Sequence, residues 1–209
     1  MKTRVKLISI VLAFAMMISL GSCAERERKL AGTKSTIHVE EDFLKLYDFM
    51  NGCIGMNFYD VIDRLRTEYK LTFDTEKFSD VSYFSEEEGY YDYVYDRPVH
   101  GFGDVEFNQI EIFCNPSDGT VFHIGFLNNI LPANELDENY DVTSDICKDQ
   151  IGRPKGTGQA PTSGEGVAFT EFGLGGGVTV STGRYVSEDY NSHWFDITNW
   201  MLSDTTEKK

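Results

Sequence analysis

Apolar positions along the chain change their period more than once, and each change marks an element. Between residues 40 and 50, Phe43, Leu46, Tyr47 and Met50 recur at spacings of three and four, which places them on one face of a helix. Asn51-Gly52 supplies a stop, because both residues tolerate left-handed backbone. Asn57 then offers an N-cap ahead of a second stripe, Phe58, Val61, Ile62, Leu65 and Tyr69, with Asp60 near the positive helix end. A helical hairpin with a tight Gly-containing bend is expected.

After Lys70 the period shortens to two. Phe73, Val81 and Tyr83 sit in short strand-like runs, and Tyr91, Tyr93 and Tyr95 alternate with Asp92, Val94 and Asp96. One face of that strand carries a row of tyrosines, and Pro98 ends or edges it. Residues 105–114 and 120–127 read as a hairpin, with Pro116 and Gly119 making the turn. A third helix is expected over residues 136–154, with Thr143 as a cap and Gly152 and Pro154 as the stop. Residues 155–166 are rich in Gly, Thr, Ser and Pro and read as loop; strands follow at 167–172, 177–182 and 193–200, with a glycine turn at 175–177.

Composition supports a packed protein. The chain has 209 residues, 41% of them hydrophobic, with 15 Phe, 11 Tyr and 2 Trp, ample material for a core. It carries 19 basic and 34 acidic residues, a net charge of −15. A surface of that sign repels phosphate backbones and anionic headgroups, so nucleic acid is excluded as a partner.

The amino terminus has its own pattern. Lys2, Arg4 and Lys6 precede a nearly continuous apolar run at residues 7–20. The run is short of the ~20 residues a spanning helix needs and fits the core of an export signal. Leu20-Gly21-Ser22-Cys23 follows directly, and it resembles the lipobox of bacterial lipoprotein precursors. That resemblance implies cleavage before Cys23 and lipid on its thiol, which would hold the chain on the extracytoplasmic side of a membrane. Several acyl chains, each CH₂ contributing ~0.8 kcal/mol, anchor stably. Residues 1–22 are then a signal peptide, and 23–37 the lipidated cysteine with a polar tether richer in basic than in acidic residues.

The rest divides into two similar stretches, 38–130 and 131–203, before a polar tail at 204–209. Setting Asn57 over Thr143 brings Val61 onto Cys147 and Leu65 onto Ile151. Helix followed by strands, twice, predicts an α+β fold: a helical hairpin packed on an antiparallel sheet, in two tandem copies of one helix-then-strands unit. Gly55-Met56-Asn57 with Val61 and Leu65, and Val142-Thr143 with Ile151-Gly152-Arg153-Pro154, resemble the small outer-membrane lipoproteins of the β-barrel assembly machine. More broadly they resemble the β-lactamase-inhibitor-protein-like fold. Arg66 and Asp141 stand where the pattern has glycine. The resemblance implies a sheet with helices on one face and a protein that binds proteins or supports the envelope.

Motifs for chemistry are few. Cys53, Cys114 and Cys147 remain after Cys23, leaving three pairings open for one disulfide. His38, His100, His123 and His193 lack zinc spacing; His123 is expected to face solvent, and His193 to be structural or to line a cleft. Asp137, Asn139, Asp141 and Asp145 imitate a calcium loop, but Val142 and Lys148 stand where Gly and Glu are required, so a solvated loop capping the next helix is expected. The Gly-rich stretches lack the Lys-Ser/Thr of a phosphate loop, and no nucleophile elbow occurs. No catalytic residue, metal or cofactor is expected.

The remaining signal is aromatic. Tyr91, Tyr93, Tyr95, Tyr190 and Trp194, with Tyr185 and Trp200 nearby, form the candidate binding surface, since Tyr and Trp bury area at low entropy cost. The expected role is a non-enzymatic, lipid-anchored binding or scaffold module for an envelope protein partner. The alternative is a small-molecule or glycan binder with an aromatic cleft, and an envelope hydrolase ranks third.

Overall fold

The computed structural model describes residues 36–70, 83–85, 87–159 and 166–203. The signal region, Cys23, the tether up to residue 35, Phe73, Val81, most of the Gly-rich stretch and the polar tail lie outside them, as do the side chains of Tyr95 and His100.

The fold is α+β: three helices pack on an open antiparallel sheet of eight strands. Helix α1 (Thr36–Cys53) and helix α2 (Phe58–Glu68) come first. Strands β1 (Tyr83–Ser85), β2 (Tyr90–Phe102), β3 (Val105–Cys114) and β4 (Val121–Asn128) follow. Then come α3 (Ala133–Gln150), β5 (Gly156–Gln159), β6 (Gly166–Gly175), β7 (Val178–Val186) and β8 (Asn191–Asn199). The spatial order is β1-β2-β3-β4-β8-β7-β6-β5, so two four-strand meanders join edge to edge through β4 and β8.

The helical hairpin forms as its periodicity requires. In α1, Val39, Phe43, Leu46, Met50 and Cys53 are buried at alternating steps of four and three. Asn57 caps α2 by accepting from the Tyr59 N–H at 3.1 Å, which satisfies one of the helix's orphan donors. The stop differs from expectation: α1 runs through Asn51-Gly52 to Cys53, and the left-handed residue is Gly55, at φ 85°. The bend is held there by the β3–β4 turn. Gly55 N–H donates to Val121 O, Val121 N–H to Met56 O, and Phe58 N–H to Gly119 O, each at 2.8 Å. These tertiary bonds outweigh the local preference of Asn-Gly.

The third helix starts earlier than the pattern suggests. Pro132 is its N-cap, and Thr143 lies mid-helix, buried, donating its hydroxyl to Asn139 O at 2.7 Å. The alignment of Asn57 with Thr143 as equivalent caps therefore does not hold. The imitation calcium loop is helix as well: Asp137, Asn139 and Asp141 all lie in α3, and Asp137 pairs with Arg184. Pro132 precedes the first turn of α3 and Glu135 lies within it, where a carboxylate suits the helix amino end. Residues 156–159, expected as loop, form edge strand β5 on β6. The two hairpins and the 175–177 turn fall where expected. A register shift between Val94 and Val99 on β2 includes Pro98.

All three helices cover one face of the sheet. Under α1, Phe43 meets Phe102 edge-on at 5.3 Å and Phe195 at 5.4 Å. Under α3 the contact is more polar: Tyr140 and Ser144 hydroxyls meet Thr170 at 2.9 and 3.1 Å, and Thr143 meets His193 Nε2 at 3.2 Å.

Candidate functional site

Period two sends alternate residues of each strand to the face that the helices leave open. On β8, Phe195 and Ile197 go to the helices, while Trp194, Asp196 and Thr198 go to the open side. The strand register extends these three positions into three rows across the sheet.

The first row is aromatic and small. Leu127 pairs with Trp194, Trp194 with Gly183, Gly183 with Phe169, and Phe169 with Gly158. A β-carbon on Gly183 would run into the Trp194 ring, and one on Gly158 into the Phe169 ring. Both rings therefore lie over glycine backbone. The Trp194 indole N–H donates to Ser181 Oγ at 3.2 Å.

The middle row is acidic. In register it runs Asp92, Glu111, Gly125, Asp196, Ser181, Glu171. The third row holds Tyr90, Phe113, His123, Thr198 and Thr179, with Phe122 and Trp200 beside it. Tyr90 stacks on Phe113 at 4.8 Å, Phe113 on Phe122 at 6.1 Å, and His123 meets Phe113 edge-on at 4.8 Å. A carboxylate row thus lies between two aromatic rows.

The electrostatics follow from that sandwich, because flanking rings displace the water that would solvate a charge. Burial, then the neighbouring Asp92, pushes the Glu111 carboxyl up to about 7. Burial, then Glu111 and Glu171, holds Asp196 well above the usual carboxylate range. Burial also raises Asp92, opposed by hydrogen bonds from Gln109 and Tyr90. Gln109 Nε2 donates to Asp92 at 2.7 Å while its oxygen accepts from Asn129 at 2.8 Å, so amides close that end of the row. Lys155 Nζ stands 3.6 Å from Glu171 at the rim. Among the described residues no ion pair reaches Asp196 or Glu111.

A cavity of about 370 Å³ opens where the acidic and third rows meet, lined by Phe113, Phe122, His123, Glu171, Thr179, Ser181, Asp196, Thr198 and Trp200. His123 forms part of its wall. Nδ1 lies 2.8 Å from Thr198 Oγ1, while Nε2 is shut from solvent with no hydrogen-bond partner. Burial depresses this imidazole to about 4, so it is neutral at ordinary pH. His123 lies on the open side, as its alternation suggests, but is half-buried there, with Nε2 covered by its neighbours.

The residues singled out from the sequence separate. Tyr91 is 1% exposed and lies edge-on to Phe58 beneath α2, with Tyr93 stacked beside it at 6.3 Å. Both belong to the helix-covered face and serve the core. Trp194 lies on the open face. Tyr190 is exposed at the β7–β8 turn, 6.2 Å from Tyr185. His193 is fully buried between α3 and the sheet and stacks on Phe107 at 5.8 Å, a structural position. Among the described residues, Cys53, Cys114 and Cys147 form no disulfide. Burial pushes the Cys53 thiol up to about 12 and raises Cys147, so neither supplies a thiolate at neutral pH.

Glu111, Asp196, Glu171 and His123 were not legible as a group. Alternation around Ile110 and Ile112 puts Glu111 and Phe113 on one face, but no local signal says that β4 pairs with β8. Among the described residues no cluster of three or more His, Cys, Asp or Glu is placed to hold a metal ion, and no described helix is long and apolar enough to cross a membrane. No family model matches the chain, and neither does any curated protein or solved structure.

Proposed function

We propose that this chain is an exported, lipid-anchored, non-enzymatic protein that binds an envelope protein through the open face of its sheet. The observation that carries the reading is the composition of that face. It presents Phe113, Phe122, Trp194 and Trp200 around a carboxylate row, with all three helices on the other side. Trp200 is 62% exposed and Met201 75%. Aromatic anchors with a charged complement are what protein interfaces use. The anchor itself rests on the charged, apolar and Leu20-Gly21-Ser22-Cys23 sequence. The two meanders are read as divergent copies of one unit, supported by their meeting through β4 and β8.

Cross-linking in cells that make the protein, followed by capture and mass spectrometry, tests this. One envelope protein should be recovered with the parent chain and lost with Trp194→Ala/Trp200→Ser. Cys23→Ala should abolish the acyl mass on the chain and release it from membranes. Recovery that is equal with the open-face variant refutes the assignment of the surface, and an unlipidated Cys23 refutes the anchor.

The cavity favours a second reading, a small-ligand or glycan site. Its volume of about 370 Å³ falls within the ~300–1,000 Å³ of ligand pockets, and Trp200 and Phe113 provide platforms. Saturable binding of a neutral oligosaccharide to the cavity, without any captured protein, would favour it.

A further inference from the structure

We propose that the cavity between Asp196, Glu171, His123 and Trp200 receives an aliphatic cation, the lysine or arginine side chain of the protein partner. The inference rests on the partner reading above and adds what that partner presents. Four features converge on it.

The first is charge. Asp196 and Glu171 both line the cavity, and Glu111 lies in register with Asp196 across Gly125, over which the His123 ring sits. Among the described residues no basic group pairs with Asp196 or Glu111. The row is a run of carboxyl groups without a counter-ion in a poorly hydrated setting, where an arriving positive charge favours their ionised forms and gains most from them. Lys155 meets Glu171 only at the rim, 68% exposed.

The second is the orphan nitrogen of His123. With Nδ1–H donating to Thr198, Nε2 becomes a buried lone pair without a donor. Such a group costs free energy when left unmet. Nε2 is closed off over Gly125, so an incoming ammonium or guanidinium, which has N–H groups to give and no acceptor of its own, meets the Asp196 and Glu171 carboxyls first and reaches this nitrogen when the ring turns.

The third is the wall. Phe113, Phe122 and Trp200 offer ring faces for the methylene stem and the cationic head. The fourth is size: at ~30 Å³ per water, about 370 Å³ admits a long side chain with several waters. The exposed Trp200 in its wall and Met201 next along the chain would take the apolar residues flanking that cation.

The test uses the full chain in detergent, with n-butylammonium, n-butylguanidinium and n-butanesulfonate as probes at matched ionic strength. The Trp200 indole and His123 ring resonances are followed by NMR, and partner capture is run in parallel. Both cations should shift these signals saturably and the sulfonate should not. Asp196→Asn/Glu171→Gln should weaken the cations by more than about tenfold and abolish capture, with folding checked by circular dichroism. Should the double variant unfold, Glu171→Gln alone should weaken the cations and reduce capture. Shifts absent in the parent chain, or unchanged in a folded variant, overturn the site while persistent capture leaves the partner reading standing. Cation binding with capture unaffected by the substitutions overturns the assignment to the partner's side chain. Cation binding with nothing captured by any form overturns the partner reading and leaves a site for a free amine.

Discussion

The two faces of one sheet are made from alternate residues of the same strands, yet they obey different rules. Toward the helices, β8 presents Phe195 and Ile197, both fully buried, and β4 presents Ile124 and Phe126, also fully buried. Toward the open side the same strands present Asp196, Thr198, His123 and a glycine. The covered face is explained by apolar packing under α1 and by hydroxyl contacts under α3, with the buried His193 Nδ1 its own unmet group. The open face keeps carboxylates out of their ordinary range and an imidazole nitrogen without a partner. Such groups do not stabilise a fold, and local violations of that kind concentrate where a protein acts.

The comparison breaks most sharply at the covered face. Phe195→Ala removes a ring held by Phe43 and Phe102 and should cost about 3–5 kcal/mol, read as a fall in the denaturant midpoint. An unchanged midpoint would mean that the helices do not pack there.

Substitution of the acidic row should have the opposite sign. The folded state holds the Glu111 proton more tightly than the unfolded chain, since its carboxyl rises from 4.5 to about 7. Its cost is therefore full above pH 7 and fades as pH falls to about 4.5. Glu111→Gln should stabilise by on the order of 1–3 kcal/mol at pH 8, allowing for partial exposure, and by little at pH 4.5. His123 and His193 act inversely. Burial lowers them to about 4 and about 3, so they contribute stability above pH 6.5 that is lost as pH falls toward those values. Thermal melts across pH 4–8 should show the parent's carboxyl trend weakened in the variant, with Asp196 and Asp92 still contributing to it, and the histidine trend unchanged.

A smaller loss is expected from Gly183→Ala. Its β-carbon would meet the Trp194 ring and stand 2.7 Å from Ala168 O, so the indole must lift from the sheet. The expected cost is about 1–2 kcal/mol, with a changed Trp194 fluorescence spectrum. The smallest effect on stability should come from Trp200→Ser. At 62% exposed this ring contributes under about 0.5 kcal/mol to folding, while its loss should weaken partner capture. A large stability loss would place Trp200 with the core instead.

Much of the architecture was readable from local pattern. The stripe of Phe43, Leu46 and Met50 identifies α1 because a helix face repeats within a few residues. Asn57 caps α2 through its own side chain, a bond spanning two residues. Thr143 misled for the same reason: a β-branched hydroxyl resembles a cap, and only the chain's contact with β8 turns it inward to His193. The tyrosine row was legible as a row but not as a side of the sheet. Alternation states that Tyr91 and Tyr93 share a face, and only the packing of Phe58 decides that the face is inside.

By itself the sequence determined three helices, most of the strands, the turns of two hairpins and an acidic character, because each depends on neighbouring residues. Tertiary structure alone decided that β4 lies against β8, and with that the whole open face. His123 meets Thr198 across 75 residues of chain, and Glu111 faces Asp196 only through the same pairing. A period of two fixes which residues stand together along one strand. Which rows they join depends on register between strands distant in sequence, and shifting it by one residue would exchange the two faces.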